Sequence, residues 1–293
     1  MKVSIIIPAL NEENYLPKLL GSIKKQTFKD YEVIVADAHS KDRTREIARK
    51  FGAKIVDGGR PANGRNIGAK AASGEFLFFF DSDVKLPSTF LKRAYEEMKK
   101  RSLELATCEF RPLSNLAIDK VLHRIANIIV KMKQYSSKPL ASGCCILVSK
   151  RSFMRVKGFD ETLWIAEDHD FVEKSVQFSP LRVLHSTYIS ISVRRLRKEG
   201  RIVLASKYIK SEMYRAFIGK IKKEIFKYDF GSYGKKNEES KLHKLESQLI
   251  SLDRKYTRFA KKYLFREKHV GKHKRTINDF GKKLKNLLKG TGK

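Results

Sequence analysis

The chain has 293 residues, room for one large α/β domain with an appendage or for two modest domains, and at 41% hydrophobic it holds enough apolar side chains to exclude global disorder. Lys and Arg number 63 against 32 Asp and Glu, a formal net charge of +31 that calls for an anionic partner: nucleic acid, an acidic membrane surface or phosphorylated substrates. From Arg194 onward 31 basic residues face 10 acidic ones, so most of the excess sits in the last third and the first two thirds read as an ordinary globular domain.

Val3 to Ile7 is a β-branched run typical of a strand buried on both faces, and Pro8 stops it. Asn11 is placed to cap a helix reaching about Gln26, with Tyr15, Leu16, Leu19, Leu20 and Ile23 on one face. Tyr31 to Ala36 is a second strand ending at Asp37. Ser40 to Phe51 is a helix, Lys54 to Val56 a short strand, and Pro61 to Ala72 is helical towards its end. Glu75 to Phe80 is the strongest buried strand and runs into Asp81-Ser82-Asp83. This alternation predicts βαβ units and a largely parallel sheet, where ligands bind beyond the carboxyl ends of the strands.

The second half predicts a helix over Ser88 to Arg101, a strand over Leu103 to Phe110 and an apolar-faced helix over Asn115 to Gln134. A strand over Cys144 to Val148, a turn at Gly158-Phe159-Asp160, a helix over Glu167 to Gln177 and a short strand over Leu181 to Leu184 follow. From Arg197 the pattern is helical, with Ile202, Leu204, Ala205, Tyr208, Ile209, Met213, Phe217 and Ile221 near one face; past Tyr228 it is Lys-rich and weakly amphipathic. Cys108, Cys144 and Cys145 have neither CxxC spacing nor a paired His, which speaks against a zinc site or a disulfide framework. The opening MKVSIIIPAL is too short for a signal peptide, and no run of about 18 uncharged apolar residues exists, so the expected compartment is the cytoplasm.

Asp81 and Asp83 sit two apart at the end of a buried strand, where they either present oxygens to a hard cation such as Mg²⁺ or Mn²⁺ or close a turn that caps the next helix. Glu167-Asp168-His169-Asp170 either complements a helix dipole or supplies a general base. Trp164, the single tryptophan, reads as core or as a face for a sugar to stack on. Asp37, ending its strand, is placed to accept hydrogen bonds from a base or ribose. Arg65 is either a solvated charge or a partner for a pyrimidine carbonyl or phosphate. No GxGxxG follows the first strand and no GxxxxGK[ST] occurs, so phosphate has to be held by metal and cationic side chains.

Taken jointly, four segments resemble the glycosyltransferases of family 2: SIIIPALNEENYLPKLLGSI, DYEVIVADAHSKDRT, GRNIGAKAASGEFLFFFDSDV and SGCCILVSKRSFMRVKGFDETLWIAEDHDF, in order and together spanning roughly residues 1–200. The resemblance implies a GT-A fold, a mixed and mainly parallel α/β sheet flanked by helices. It implies a catalytic domain over 1–195, split into a nucleotide-sugar half (1–110) and an acceptor half (111–195), with a basic, mainly helical extension over 196–293. By position, Pro8, Ala9 and Glu12 match residues lining the nucleotide, Asp37 the carboxylate that contacts the base, and Arg65 a base- or phosphate-contacting arginine. Asp81 matches a residue near ribose and metal, and Asp83 the metal-binding aspartate. Asp168 matches the catalytic base with Glu167 beside it, while Gly143 and Trp164 fall on the acceptor side. Arg194 and Arg195 resemble a basic segment that closes over the diphosphate, and His185 stands where some relatives place a third metal ligand, against a purely structural role.

The implied activity is inverting, Mg²⁺- or Mn²⁺-dependent transfer from a nucleoside-diphosphate sugar, uridine preferred over guanosine, to a sugar, lipid-linked or phospholipid acceptor. Two departures stand out. The family often has D-D-G-S where this chain has Asp37-Ala38-His39-Ser40, and the Q-x-x-R-W motif of processive synthases is absent, which argues for one transfer per encounter. The basic extension suits the anionic inner face of the cell membrane better than nucleic acid, for which no zinc-finger spacing or aromatic RNA motif is present. The alternative is a catalytically silent GT-A-like module serving as a binding scaffold.

Overall fold

The run Phe76 to Phe80 shows why the sheet has two covered faces. Side chains alternate along a strand: Phe76, Phe78 and Phe80 enter one core with Val3, Ile5, Ile7, Leu16, Leu19, Phe90 and Met98, while Leu77 and Phe79 enter the other with Ile6, Ile34, Ala69, Phe153, Phe159 and Phe171. With apolar neighbours on both sides, neither face tolerates a polar residue, hence the unbroken EFLFFF.

The computed structural model describes residues 1–201 together with 203, 204, 207, 208, 211, 214, 215 and 219–222. In chain order these form β1 (Val3–Ala9), α1 (Leu16–Lys24), β2 (Tyr31–Asp37), α2 (Thr44–Lys50), β3 (Lys54–Asp57), α3 (Pro61–Lys70), β4 (Phe76–Phe79), β5 (Val84–Lys85), α4 (Phe90–Lys100) and β6 (Leu105–Pro112). The series continues with α5 (Ala117–Lys133), β7 (Ile146–Ser149), α6 (Lys150–Arg155), α7 (Glu167–Ser175), β8 (Arg182–Ile191) and α8 (Arg194–Glu199). The strands make one eight-stranded sheet in the order β3-β2-β1-β4-β7-β6-β8-β5. The first four strands run parallel; β7 is antiparallel to both β4 and β6, β8 returns parallel to β6, and β5 closes the far edge antiparallel to β8. This is the mixed, mainly parallel sheet flanked by helices that the sequence leads one to expect.

Helix α3 lies tight on β1, because a Cβ at Gly68 would stand 2.4 Å from Ile6 Cγ2. The three cysteines are buried free thiols, with Cys108 Sγ on β6 and Cys145 Sγ just before β7 standing 3.5 Å apart.

Several boundaries differ from those read in the sequence. α1 begins at Leu16, not Asn11: Asn11 adopts φ 53° and ties down another loop. β8 runs on to Ile191, past a register shift opposite Cys108 and Glu109 that the periodicity of HSTYISI does not announce. The two-residue β5 and the six-residue α6, capped by Ser149 accepting from the Ser152 N–H, leave no periodic signature of their own.

The chain divides into two units, the first Met1–Leu113, Lys133–Ser192 and Lys220–Ser232, the second Ser114–Met132, Val193–Gly219 and Tyr233–Lys293. Most of α5 falls in the second unit. Within that unit Asp119, fully buried, is held by Arg201 through Nε (2.7 Å) and Nη2 (3.1 Å) and by the Ser114 hydroxyl. The expected helical positions Ile202, Ala205, Ile209, Met213 and Phe217, and the Lys-rich stretch past Tyr228, lie outside the described residues.

Candidate active site

The parallel half of the sheet sets the first part of the site. Ala9, the last residue of β1, pairs in register with Asp37, the last of β2. Continuing the β1–β4 register places Asp81 level with Pro8, two strands from Asp37, about 10 Å at ~4.8 Å per strand. The loops leaving β1 and β2 are stitched to each other. Ser40 Oγ accepts from the Asn11 N–H (2.9 Å), Asn11 Oδ1 accepts from the Lys41 N–H (2.8 Å), and Thr44 Oγ1 accepts from the N–H of Glu12 (2.8 Å). Glu12 itself is buried. The left-handed backbone of Asn11 and His39 marks the tight turns this requires.

Asp37 is fully buried. Its Oδ2 accepts from the Ser40 N–H and from Arg45 Nη1, both at 3.1 Å, and Arg45 Nη1 reaches on to Asp57 Oδ1 at 2.8 Å. Oδ1 of Asp37 has no hydrogen-bond partner among the described residues. A buried acceptor without a donor is costly, and a ligand N–H is what would relieve it.

The second part of the site centres on Arg65, in α3 and 3% exposed. Its Nη1 donates to Glu167 Oε1 (2.6 Å), its Nη2 to Asp81 Oδ1 (2.9 Å), and its guanidinium carbon sits 5.4 Å from the centre of the Phe159 ring. Both terminal nitrogens are therefore engaged by carboxylates, and Nε has no hydrogen-bond partner among the described residues. Gly143 explains itself here. A Cβ on it would lie 2.5 Å from Arg65 Nη2 and 3.2 Å from Cζ, so any side chain displaces the guanidinium. The Gly143 N–H in turn donates to Asp168 Oδ2 (2.7 Å), while Oδ1 accepts from the His169 N–H (2.8 Å). Asp168 is thus aimed from both sides. The chain enters α7 through Ala166 in the left-handed region, φ 63°, a strained conformation for alanine directly before Glu167.

Charge follows from this arrangement. Burial pushes the Glu167 carboxyl up, opposed by Arg65 and reinforced by the neighbouring Asp168. Arg65 is held firmly charged, its burial outweighed by Asp81, Glu167 and Asp168. Burial, with Asp81 and Asp83 nearby, pushes the Cys144 thiol well up.

Of the residues expected in a site, Arg65 bonds Asp81 and Glu167, and Gly143, packed against Arg65, bonds Asp168, while Pro8, Ala9 and Asp37 stand at the carboxyl ends of the neighbouring strands β1 and β2 and Glu12 in the loop after β1. Asp83 follows β4, and its carbonyl accepts from the Ser192 N–H at 3.1 Å. Trp164, half-buried, has the Arg60 guanidinium 5.4 Å over its ring. Among the described residues His185 forms no metal-holding group with Asp81 and Asp83. It stands in the irregular stretch of β8 between Leu184, opposite Cys108, and Tyr188, opposite Glu109. Its backbone N–H binds Glu97. Arg194 and Arg195 belong to α8 in the second unit. Sequence reading missed Arg45 and Asn66; the latter clasps the Phe159 backbone through both its amide groups, and its place in Arg65-Asn66 was the available signal.

The donor set suits a hard cation. Asp81 and Asp83 offer carboxylate oxygens, while the soft Cys144 sulfur beside them stays protonated, which favours Mg²⁺ or Mn²⁺ over thiophilic metals. Among the described residues no group of three or more His, Cys, Asp or Glu is arranged to hold a metal. Water and a substrate diphosphate would have to complete the shell.

A sequence model of the family described as "Glycosyl transferase family 2" matches residues 4–157. Poly(ribitol-phosphate) beta-N-acetylglucosaminyltransferase TarS of Staphylococcus aureus (strain Mu50) is 38% identical over 104 residues, 32% of this chain and only 18% of that protein. The crystal structure of S. aureus TarS 1–349 with UDP-GlcNAc superposes with a TM-score of 0.55 at 24% identity, covering 66% of this chain and 58% of that one. The mannosyltransferase PcManGT of Pyrobaculum calidifontis, solved with GDP-Man and Mn²⁺, gives a TM-score of 0.55 at 18% identity over 74% of this chain and 70% of that one. At these identities the two structures speak for the fold, which is the GT-A fold.

Proposed function

This chain belongs to glycosyl transferase family 2, and we propose that it carries out inverting transfer of a sugar from a uridine-diphosphate sugar to the hydroxyl of an anionic, phosphate-bearing or lipid-linked acceptor. The carrying observation is the Arg65 cluster: one buried guanidinium ties Asp81, two residues past β4, to Glu167, the first residue of α7 and the neighbour of Asp168. That link supports reading Asp81 as a phosphate-side carboxylate and Glu167-Asp168 as the acceptor-side pair.

In this reading the partnerless Oδ1 of Asp37 accepts an N–H from the base, which favours uracil or guanine over cytosine and adenine, whose ring nitrogens at that edge are acceptors. The base and the carboxylates at the end of β4 are then about two strand spacings apart. Asp83 with Asp81 would hold a divalent cation, which supplies Lewis-acid stabilisation of the leaving diphosphate when bound. Asp168, oriented by the Gly143 and His169 N–H groups, takes the acceptor hydroxyl proton as that oxygen attacks the anomeric carbon from the face opposite the diphosphate, inverting the centre. Glu167 holds Arg65 in place.

The acceptor assignment rests on charge and on relatives. The net charge of +31 favours an anionic surface or polymer, and three relatives, TarS of two Staphylococcus aureus strains and a Bacillus spizizenii glucosyltransferase, carry poly(ribitol-phosphate) in their names. Among the described residues no helix is long and apolar enough to cross a membrane, so residence at the inner face of the membrane is proposed through surface attraction of the basic C-terminal region.

Titration calorimetry with UDP and GDP, in Mn²⁺ or Mg²⁺ and again in EDTA, tests the reading alongside release of UDP from UDP-N-acetylglucosamine. Metal-dependent UDP binding is expected. A chain that binds neither diphosphate under any of these conditions would sink the proposal.

A further inference from the structure

The loop from Phe159 to Ala166, which delivers Glu167 and Asp168 to the site, is held from two directions. On one side α3 grips it: Asn63 Nδ2 donates to Glu161 Oε2 (2.8 Å), Asn66 Nδ2 to Glu161 Oε1 (2.8 Å), and Arg60 Nη2 to the Glu161 carbonyl (3.2 Å). On the other side stands a short piece of chain far downstream and beyond the family match. Lys220 Nζ reaches Asp160 Oδ2 at 3.0 Å and Asp170 Oδ1 at 2.8 Å, bridging the start of the loop to the first turn of α7. Ile221 is 1% exposed, and its carbonyl accepts from the Trp164 N–H at 2.9 Å.

The electrostatics make the bridge specific. Lys174 is the second cation here, 2.7 Å from Asp170 Oδ2 and 3.8 Å from Asp160 Oδ2. Two lysines balance two carboxylates, and the Asp170 side chain is only 9% exposed. Deleting the Lys220 charge leaves Lys174 alone between both, with a buried carboxylate undercompensated at the turn that follows Asp168.

We propose that Lys220 and Ile221 form a strap that fixes the Trp164 loop and the first turn of α7, making Lys220 a positioning residue for the Glu167-Asp168 pair. The catalytic half of this rests on the glycosyltransferase reading above; the strap itself does not.

Trp164 is the only tryptophan, so its fluorescence reports on this loop alone. In the full chain, Lys220→Met is expected to red-shift Trp164 emission and to raise acrylamide quenching at least twofold. UDP release from UDP-N-acetylglucosamine with Mn²⁺ should fall tenfold or more while the UDP dissociation constant moves less than twofold. Lys220→Arg, which keeps charge and reach, should restore both signals to within about threefold. Unchanged Trp164 emission and quenching in Lys220→Met overturns the strap. Altered fluorescence with undiminished UDP release, or equal loss in the Met and Arg variants, overturns the positioning role. If the parent chain neither binds UDP nor releases it, the functional reading and the catalytic half fall together, and the fluorescence still decides the strap. A general loss of folding would show as a matching fall in UDP affinity and in the thermal transition, and would count against a local role.

Discussion

Replacing Arg65 by Met removes the guanidinium that pairs with Asp81 and Glu167 while keeping most of the side-chain volume. Arg65 is 3% exposed and pairs with Glu167, whose side chain is 14% exposed, and with Asp81, which is 41% exposed. Breaking a buried pair from one side costs about 3–5 kcal/mol. Water reaches Asp81 and screens its loss, so the lower end applies, about 3 kcal/mol, or a fall in Tm of roughly 6–12 °C for a domain of this size. The pH dependence gives a sharper test. Burial already lifts Glu167 while Arg65 opposes the lift, so without Arg65 the carboxyl rises further. A carboxyl whose folded pKa lies above its unfolded value favours the fold below the unfolded pKa and gives that stability up as pH rises through the folded pKa. The Tm gap between parent and variant should therefore be widest near about pH 7.5 and narrow towards about pH 5. Calorimetric or circular-dichroism melts at both pH values read this directly. A gap under ~2 °C at neutral pH, or one that widens on acidification, would refute the argument.

Asp168→Asn should keep UDP affinity within twofold and cut sugar transfer by about 10²–10⁴-fold, read by UDP release; full turnover would remove Asp168 from the mechanism. Asp37→Asn replaces one acceptor oxygen by a donor and should weaken UDP binding by about 10–150-fold in calorimetry, the worth of a hydrogen bond to a charged group; unchanged affinity would mean that the orphaned oxygen does not meet the base. Gly143→Ala places a Cβ where Arg65 Nη2 stands and should destabilise by ~1–3 kcal/mol in a denaturant titration while slowing UDP release; a neutral result would show that the guanidinium is free to move aside.

The sheet was legible where the strands are apolar and largely buried, as in residues 5–7 of β1, 33–36 of β2 and Phe76–Phe79 of β4. It was illegible where pairing is short or irregular. β5 has two residues, and the far end of β8 depends on a bulge opposite Cys108 and Glu109 that no local pattern encodes. The candidate carboxylates were legible as residue types at strand and helix ends. Their joining through Arg65 was not, since a lone arginine in a basic chain carries no sign of its burial. Asn11 misled because the residue type suits both a helix cap and a left-handed turn, and only the Ser40–Lys41 loop across from it decides between them. The surroundings of His185 were illegible too, because the irregular stretch between Leu184 and Tyr188 breaks the regular count of residues along the strand.

The three cysteines carry a practical corollary. Each is at most 6% exposed, and burial pushes the thiols of Cys144 and Cys145 well above the range in which a thiolate forms at neutral pH. Maleimide reagents should pass the folded chain by, leaving a blank background for conjugation chemistry. A lone reactive sulfur introduced at exposed Lys222, as Lys222→Cys, would then take a dye without removing any native sulfhydryl, a ready-made optical ruler from Trp164 to the downstream polypeptide.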